Sequence, residues 1–203
     1  MPRPRYETGE KTARERLDEA FWACLAEKPF DKITVADVTK RASVNRNTFY
    51  YHYEDMNDLA RKVAQETALE PDMVTHVLAH MFQGGGSEVL EHIPEADRRA
   101  ECIYLLAGKN SNEELRQMLR DALIDVWSRA FDVDFAALDL EGQLAIEFVL
   151  GGIMALIAYR ADSGIDFSLR DLYDYGLNRD AMHFLRHVPP VYEKLAATID
   201  VRA

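Results

Sequence analysis

Three polar side chains in a row, Arg46, Asn47 and Thr48, stand directly behind a residue that is well suited to begin a helix. That residue is Asn45, whose side-chain oxygen can accept a hydrogen bond from an unpaired backbone N–H of the first turn. Arginine can grip the O6 and N7 atoms of guanine, asparagine can pair with adenine, and threonine can offer its methyl or hydroxyl group to a base edge. The three residues therefore predict a helix whose first turn reads the bases of double-stranded DNA.

A second short helix is predicted just before the reading helix. Thr34 is a good N-cap, and Val35, Val38 and Ala42 follow at the spacing of one helical face. Only Ser43 and Val44 separate this helix from Asn45, so the two helices must meet at a sharp angle. This pattern is typical of a helix-turn-helix, and the alternative is a helical hairpin whose ends are capped by polar residues.

The rest of the motif offers groups that can hold a DNA backbone. Phe49 is expected to point into the core, whereas Tyr50, Tyr51 and His52 supply hydroxyl and imidazole groups along the reading helix. These three residues, with Thr34 and Lys40, are the predicted phosphate contacts: Thr34, Lys40, Tyr50, Tyr51, His52.

The stretch that carries these residues reads I33-T-V-x-D-V-x-x-x-A-x-V-x-x-x-T-F-Y-x-H-Y53, followed by Leu59. It resembles the DNA-binding signature of the TetR family of bacterial transcriptional regulators, and it covers about a quarter of the chain. The sequence departs from the family pattern at two positions. Ser43 stands where the family usually has glycine in the turn, so this serine must accept a left-handed backbone. Met56 stands where the family commonly has a phosphate-gripping lysine, which predicts the loss of one phosphate contact.

The resemblance implies an all-α protein with two parts. Residues 1–53 are predicted to form a three-helix DNA-binding head and residues 54–203 a helical body for effector binding and dimerisation. A fourth helix, beginning after Asp55 and running to about Leu69, is expected to join the two parts. The implied function is a repressor that a small apolar or aromatic ligand releases from its operator. The alternative is a regulator of the same fold that acts through a protein partner without a small-molecule ligand.

Charge is divided unevenly between the two parts. The chain has a formal net charge of −11, yet residues 1–53 contain 10 Lys and Arg against 8 Asp and Glu, while residues 54–203 contain 14 against 27. An acidic body repels DNA everywhere except at the head, which helps to orient the encounter. The scattered carboxylates do not suggest a set of nucleophile, base and orienting acid, so an enzyme is not expected.

The body is predicted to consist of helices at 73–83, 96–108, 113–131, 140–161 and 169–187, with Pro189 and Pro190 ending the last and a short tail helix at 191–199. The helices at 140–161 and 169–187 have more apolar surface than one subunit can cover, and the family resemblance implies that pairs of such helices form a four-helix bundle between two copies. The predicted interface of this homodimer comprises Phe148, Gly151, Gly152, Leu156, Tyr173, Leu177 and Phe184.

An effector pocket is expected between the fourth helix and the dimer helices, where the resemblance implies that family members keep their ligand. Large aromatic, sulfur-bearing and phenolic residues of that part of the chain give the mostly apolar lining of a small-molecule site. The candidate residues are Phe82, Cys102, Tyr104, Met118, Trp127 and Phe148. Each one taken alone is typical of ordinary core.

Other features predict little chemistry. Two pairs of histidines four residues apart, His76 with His80 and His183 with His187, have the spacing of a zinc site, but neither pair has a neighbouring glutamate or an obvious third ligand, so surface or interface histidines are favoured. Gly84–Gly86 lacks the residues of a phosphate loop. No cofactor or metal is predicted. The apolar run Leu144–Ala158 is shorter than a membrane span requires, and a cytoplasmic protein without a membrane partner is expected.

Overall fold

The computed structural model describes residues 11–67, 71–82, 85–163, 165, 167–174 and 183–200. Throughout these ranges the regular structure is helical and contains no strand, which confirms the all-α prediction. The α-helices are α1 (Ala13–Glu27), α2 (Val35–Arg41), α3 (Arg46–His52), α4 (Met56–Thr67), α5 (Pro71–Phe82), α6 (Ala96–Ala107), α7 (Glu113–Phe131), α8 (Leu140–Ser163), α9 (Leu169–Asp174) and α10 (Pro189–Asp200). Short 3₁₀ segments lie at Phe30–Lys32, Ser87–His92, Phe135–Ala137 and His183–His187.

The helices of the head begin where the sequence provides a cap. The Thr12 and Thr34 side chains each accept a hydrogen bond from the backbone N–H of the third helical residue. That residue, Glu15 or Asp37, accepts with its carboxylate from the backbone N–H of the cap. Before α4, the Asp55 carboxylate accepts from the Asp58 backbone N–H at 2.8 Å. Because such caps depend on residues a few positions apart, the predicted starts of α2, α3 and α4 are confirmed.

Two clusters of buried apolar residues form the core. One contains the inner faces of α1 to α4, and α6 and the first half of α7 also contribute to it, through residues such as Tyr104 and Leu115. The other lies in the body between α5, the second half of α7, the first half of α8 and α10. Leu123 and Ile153, at the middle of α7 and α8, pack against both clusters. The two longest helices therefore tie the head to the body.

The loop between α6 and α7 fastens the head to the body a second time. The Asn110 side-chain amide donates to the Leu25 and Ala26 carbonyls, at 2.8 and 3.1 Å, and so satisfies two orphan groups at the end of α1. The Asn110 carbonyl in turn accepts from the Phe30 backbone N–H at 2.8 Å. Asn112, the N-cap of α7, donates from its side chain to Asp31 at 2.6 Å. The end of α1 is therefore held by the body as well as by its own core.

The C-terminal region differs from the sequence prediction. The expected helix at 169–187 begins as α9, but His183–His187 forms a 3₁₀ turn, and residues 175–182 lie outside the described ranges. Pro189 does not end a helix: it begins α10, two residues before the predicted tail helix. Proline suits the first position of a helix because its missing N–H would have no intrahelical partner there.

Candidate nucleic-acid interface

The turn between α2 and α3 sets the angle of the reading helix. Ser43 has a φ of 53°, so the serine does adopt the left-handed backbone that the sequence predicted. The Val44 N–H bonds the Thr39 carbonyl at 3.0 Å and the Ser43 N–H bonds the Lys40 carbonyl at 3.3 Å, which closes the end of α2 in a Schellman motif. A residue with a Cβ pays a steric cost of about 1 kcal/mol in this conformation, so these bonds must hold it in place.

The first turn of α3 presents the three predicted base-reading residues. The Asn45 side-chain oxygen accepts from the Thr48 backbone N–H at 2.8 Å and from the Thr48 hydroxyl at 3.1 Å. Thr48 is half-buried and its hydroxyl hydrogen serves this cap, whereas Arg46 and Asn47 are exposed. No carboxylate of the described residues forms an ion pair with Arg46, so its charge is available to a ligand.

The predicted phosphate contacts do not form a uniform set. Tyr51 is 85% exposed, and Lys40 is also exposed, so both side chains can reach a backbone that passes the head. The Thr34 hydroxyl instead donates to the Asp37 carboxylate at 2.6 Å. That carboxylate also pairs with Lys28 at 2.8 Å, and the Lys28 bond, followed by the Thr34 bonds, holds the pKa of Asp37 well below its usual range. A phosphate at Thr34 would have to approach an ionised carboxylate.

The end of the reading helix is held by residues that the motif alone did not single out. Lys62 of α4 donates to the His52 carbonyl at 3.1 Å and to Asp58 at 2.9 Å, and its ammonium lies 5.3 Å from the centre of the Tyr53 ring. The spacing of Asp58 and Lys62, four residues apart on one helix, was the sequence signal for this pair. The Lys62 bond also lowers the pKa of Asp58. Met56, the residue in the place of the expected lysine, is half-buried against the core of the head.

A buried phenol joins the reading helix to α1. Tyr53 is 2% exposed, its hydroxyl donates to the Asp18 carboxylate, and it accepts from Arg14 at 3.4 Å. Burial raises the pKa of Tyr53, and the bond to Asp18 adds to that rise. Burial likewise raises the pKa of Asp18, with the Tyr53 bond opposing. Arg14 also pairs with Glu66 of α4, so α1, α3 and α4 meet in one polar contact.

The six candidate effector residues are distributed over the molecule. Tyr104 and Met118 belong to the cluster shared with the head, and Trp127 belongs to the body cluster. Phe148 is 58% exposed and stacks on Phe184 with ring centroids 4.1 Å apart. Phe82 lies at the end of α5, and nothing is described of its side chain.

Cys102 is the one of these residues that lines a described cleft. This cleft, of ≈ 350 Å³, opens between α1, α4 and the start of α6. Burial raises the pKa of the Cys102 thiol to about 11, so the sulfur is a neutral thiol. Charged side chains of both signs line the cleft, among them Glu15, Glu66 and Arg98, with Trp22 beside them. Its chemistry therefore differs from the apolar lining that the sequence predicted.

The predicted dimer residues that are described lie at the surface or near it. Gly151 and Gly152 are exposed, and a Cβ built on either would meet nothing within 4 Å. Leu156 is half-buried. Around the glycines, α8 carries an exposed apolar stripe with helical spacing: Leu140, Leu144, Phe148, Ala155 and Tyr159. The remaining two predicted residues, the Tyr173 side chain and Leu177, fall outside what the structure describes.

The long apolar helix α8 ends at Ser163, slightly beyond the predicted end at Ala161. In the described part of the chain, Leu140–Arg160, a longer stretch than the apolar run 144–158, has the length and hydropathy of a membrane-crossing helix. One such helix is weak evidence of a membrane, because the core helix of a soluble protein meets the same criteria. The described residues also contain no group of three or more His, Cys, Asp or Glu placed to hold a metal ion. His80 lies 3.1 Å from Glu88, and His187 lies 2.5 Å from Glu141.

Comparison with known proteins finds a family whose model matches the head and the start of α4. Residues 19–63, from the middle of α1 to the middle of α4, match the model of the bacterial regulatory proteins of the tetR family. An uncharacterised HTH-type transcriptional regulator of Haemophilus influenzae is 30% identical over 113 residues, which are 56% of this chain and 51% of that protein. The HTH-type transcriptional regulator YxbF of Bacillus subtilis is 38% identical over 169 residues, 74% of this chain and 40% of that protein.

The chain thus spans about half the length of the Haemophilus influenzae relative and less than half the length of the Bacillus subtilis relative. Among solved structures, the fatty acid degradation regulator FadR of Bacillus halodurans is 14% identical, with a TM-score of 0.47 over 89% of this chain and 100% of that one. The matched family and both curated relatives are transcriptional regulators and not enzymes.

Proposed function

The chain belongs to the TetR family of bacterial regulatory proteins, and on that premise we propose that it is a sequence-specific, DNA-binding transcriptional regulator. The observation that carries the proposal is the exposed first turn of α3. There Arg46 and Asn47 project from a helix whose start and inner face are held by the head and whose end is held by Lys62 of α4. Arginine and asparagine are the side chains best suited to guanine and adenine edges in the major groove. Thr48 completes the proposed base-reading set.

The DNA backbone is held, in this proposal, by the residues that flank the first turn. Tyr50, Tyr51 and His52 on α3 and Lys40 on α2 supply donors, and Thr34 lies at the start of α2. Residues 1–53 form the proposed DNA-binding domain and residues 54–203 the effector and dimerisation domain. Because phosphate contacts are independent of sequence, they set the register of the head, and the base contacts set its preference.

Selection of bound duplexes from a random pool tests the proposal and defines a preferred site. On that site Arg46→Ala should weaken binding by about 1–3 kcal/mol and relax the preference at one base pair, whereas Tyr51→Phe should weaken all duplexes alike. Thermal unfolding of each variant controls for loss of fold. If Arg46→Ala leaves the preference unaltered, the assignment of the reading helix is wrong.

We further propose that the regulator acts as a homodimer through the exposed stripe of α8. Large apolar side chains exposed along one helix face cost free energy in water unless another surface covers them. Two copies packed through this face and the neighbouring Phe184 would bury Phe148 and let their backbones approach at Gly151 and Gly152. The two reading helices should then lie about 34–36 Å apart, the distance between successive major grooves. A protein with this function acts in the cytoplasm, where bacterial DNA lies.

The regulator is proposed to be a repressor that a small apolar or aromatic effector releases. The effector would have to bind one spacing of the two heads better than the other, and a hundredfold release needs only about 2.7 kcal/mol of such a difference. A regulator driven by a protein partner is the second candidate. It is favoured by the positions of four of the six expected pocket residues: Tyr104, Met118 and Trp127 belong to two separate packed clusters, and Phe148 lies at the surface.

Fluorescence distinguishes these two candidates. In a Trp22→Phe variant, Trp127 is the remaining tryptophan, and it lies in the body cluster. An effector bound in the body should change its emission at the concentrations that release DNA. If every compound that releases DNA leaves Trp127 unaffected, and acts equally well on Trp127→Ala, the partner-driven candidate is favoured.

A further inference from the structure

Tyr50 contacts the charged end of Arg46 in the structure. Both residues lie on α3, four positions apart, so their side chains share one face of the reading helix. The Arg46 Nη2 donates to the Tyr50 hydroxyl at 3.1 Å. The guanidinium carbon also lies 5.6 Å from the centre of the Tyr50 ring, within the range of a cation–π contact. Arg46 is thus held at two points by one side chain.

Tyr50 is itself held by the core of the head. Its ring meets Phe49 edge-on, with centroids 5.5 Å apart and planes at 86°. Phe49 is fully buried and packs in turn against Tyr53, at 5.7 Å. A series of ring contacts therefore connects the buried interior with the exposed arginine. Through these contacts the core of the head helps to fix the position of Arg46.

Holding the arginine in this way matters for base reading. A free arginine side chain samples many rotamers, and part of this entropy is lost when it binds a guanine. Other cations of the head are oriented by carboxylates, as Lys28 is by Asp37 and Lys62 by Asp58, but a carboxylate would neutralise the charge that the base requires. A phenol orients the guanidinium and leaves its charge intact. The contact uses one N–H of Nη2, and the second N–H of Nη2 and those of Nη1 are left to donate to a base.

The Tyr50 hydroxyl can bind the DNA backbone while it accepts the hydrogen bond from Arg46. In the contact with Arg46 the Tyr50 oxygen acts as acceptor, and its own hydrogen remains free to donate to a phosphate. Donation to a phosphate would strengthen the oxygen as an acceptor for Arg46, because hydrogen bonds in a chain polarise one another. A phosphate contact and the reading of a base would then reinforce each other through one hydroxyl.

We propose that Tyr50 is a specificity-determining positioning residue, which aims Arg46 at one base pair of the site and does not merely hold the DNA backbone. The inference rests on the proposed DNA-binding function. Tyr51 is the matched control that the chain offers: it is the next residue on the same helix, it is more exposed, and its ring contacts His52 at 5.0 Å and not Arg46.

The test compares binding of the full chain to two duplexes at one fixed salt concentration. One is the preferred site obtained by selection, and the other differs at the single base pair where Arg46→Ala loses its preference. The ratio of the two dissociation constants is measured for the wild type, Tyr50→Phe, Tyr51→Phe, Arg46→Ala and the double variant Tyr50→Phe/Arg46→Ala. Thermal unfolding and far-UV circular dichroism verify that each variant is folded.

Tyr50→Phe keeps the ring and removes the oxygen that accepts from Arg46. It should lower the ratio at this base pair by about fivefold, the value of one hydrogen bond of ordinary strength. Ratios at other base pairs should stay the same, and Tyr51→Phe should leave all ratios unchanged. In the Arg46→Ala background, Tyr50→Phe should have no further effect on the ratio.

Two results would overturn the inference while leaving the proposed function intact. If Tyr50→Phe weakens both duplexes equally, Tyr50 is a backbone contact alone. If it lowers the ratio by the same factor with and without Arg46, Tyr50 reads a base directly. A wild-type protein that selects no sequence from the random pool would instead remove the proposed function, and the inference with it.

Discussion

The head and the body of this protein differ in where they expose large apolar side chains. In the described part of the head, the large apolar residues at the surface are Tyr50 and Tyr51, on the reading helix. In the body the exposed set is larger and largely aliphatic or phenylalanine: Leu140, Leu144, Phe148, Tyr159, Ile165, Phe184 and Tyr192. The head therefore encloses its core within one chain, and its exposed rings carry polar groups. The body has a face that its described residues do not cover, which is the physical basis of the proposed dimer.

The two parts also differ in how their helices are held at the ends. Carboxylates whose pKa is lowered by hydrogen bonds cap or brace the head helices at Glu15, Asp37 and Asp58. The long body helices α7 and α8 are also capped, by the Asn112 and Asp139 side chains, but they pack in addition along their length against both clusters. The head is thus specified by many short-range polar contacts, and the body by a few long helices whose faces must match.

The largest expected effect is on the free energy of unfolding, and it should differ between a phenylalanine buried in the head and one exposed on the body. Phe49 is fully buried in the head, so Phe49→Ala should cost about 3–5 kcal/mol in the free energy of unfolding, measured with urea. Phe148→Ala on the exposed stripe should change the free energy of unfolding of a single chain little, but it should weaken the proposed dimer. The comparison fails if Phe148→Ala destabilises the dilute monomer as much as Phe49→Ala does.

A smaller effect on the fold and a clear effect on assembly are expected at Gly152. A Cβ built on Gly152 meets nothing within 4 Å in the single chain. Gly152→Arg should therefore leave the monomer folded and lower its free energy of unfolding much less than Phe49→Ala does. In the proposed dimer the same side chain would place a charge between two backbones, so the dimer should dissociate. Sedimentation at micromolar concentration measures this. A wild-type protein that sediments as a monomer would contradict the proposed interface.

Gly142 offers a control for that experiment. It lies near the start of the same helix, but a Cβ there meets Asp139 and Leu138 at 3.2–3.3 Å. Gly142→Ala should therefore disturb the local fold while leaving the oligomeric state unchanged. A loss of dimer in both glycine variants would point to helix stability, not to the exposed face, as the cause.

The smallest expected effect is on how stability changes with pH, through the contact between Asp58 and Lys62. The pKa of Asp58 is lowered, chiefly by its bond to Lys62, so the folded state binds fewer protons here than the unfolded state does. Its contribution is present above the unfolded pKa of about 4 and is lost as the pH falls through the lower, folded value. Asp58→Asn should therefore destabilise the protein at pH 7 and reduce the fall in stability between pH 5 and pH 3.

Glu193→Gln, an exposed change in α10, controls for the change in net charge. Asp18 contributes with the opposite sign, since burial raises its pKa, and its contribution is lost as the pH rises through that raised value. Equal pH slopes of unfolding for the wild type and Asp58→Asn would show that the Lys62 contact contributes nothing measurable.

Most of the head could be predicted from the sequence because its signals are local. Thr34, Asn45 and Asp55 each cap the helix that follows, and the helix starts predicted from them agree with the structure. The family resemblance, which has glycine at the position of Ser43, implied a strained or left-handed backbone there, and Ser43 is left-handed. The C-terminal helix was predicted less well, because apolar spacing alone does not distinguish an α-helix from a 3₁₀ turn at His183–His187.

The sequence by itself determined which residues begin α2, α3 and α4 and which side chains stand on the first turn of the reading helix. These depend on contacts between residues three or four positions apart. Only the tertiary structure decided that Tyr53 meets Asp18, that Trp127 and Tyr104 lie in different clusters, and that Phe148 lies at the surface. The reason is that a helix shows the same periodic pattern whichever neighbour covers its apolar face. Which residues meet depends on how helices far apart in the sequence pack together.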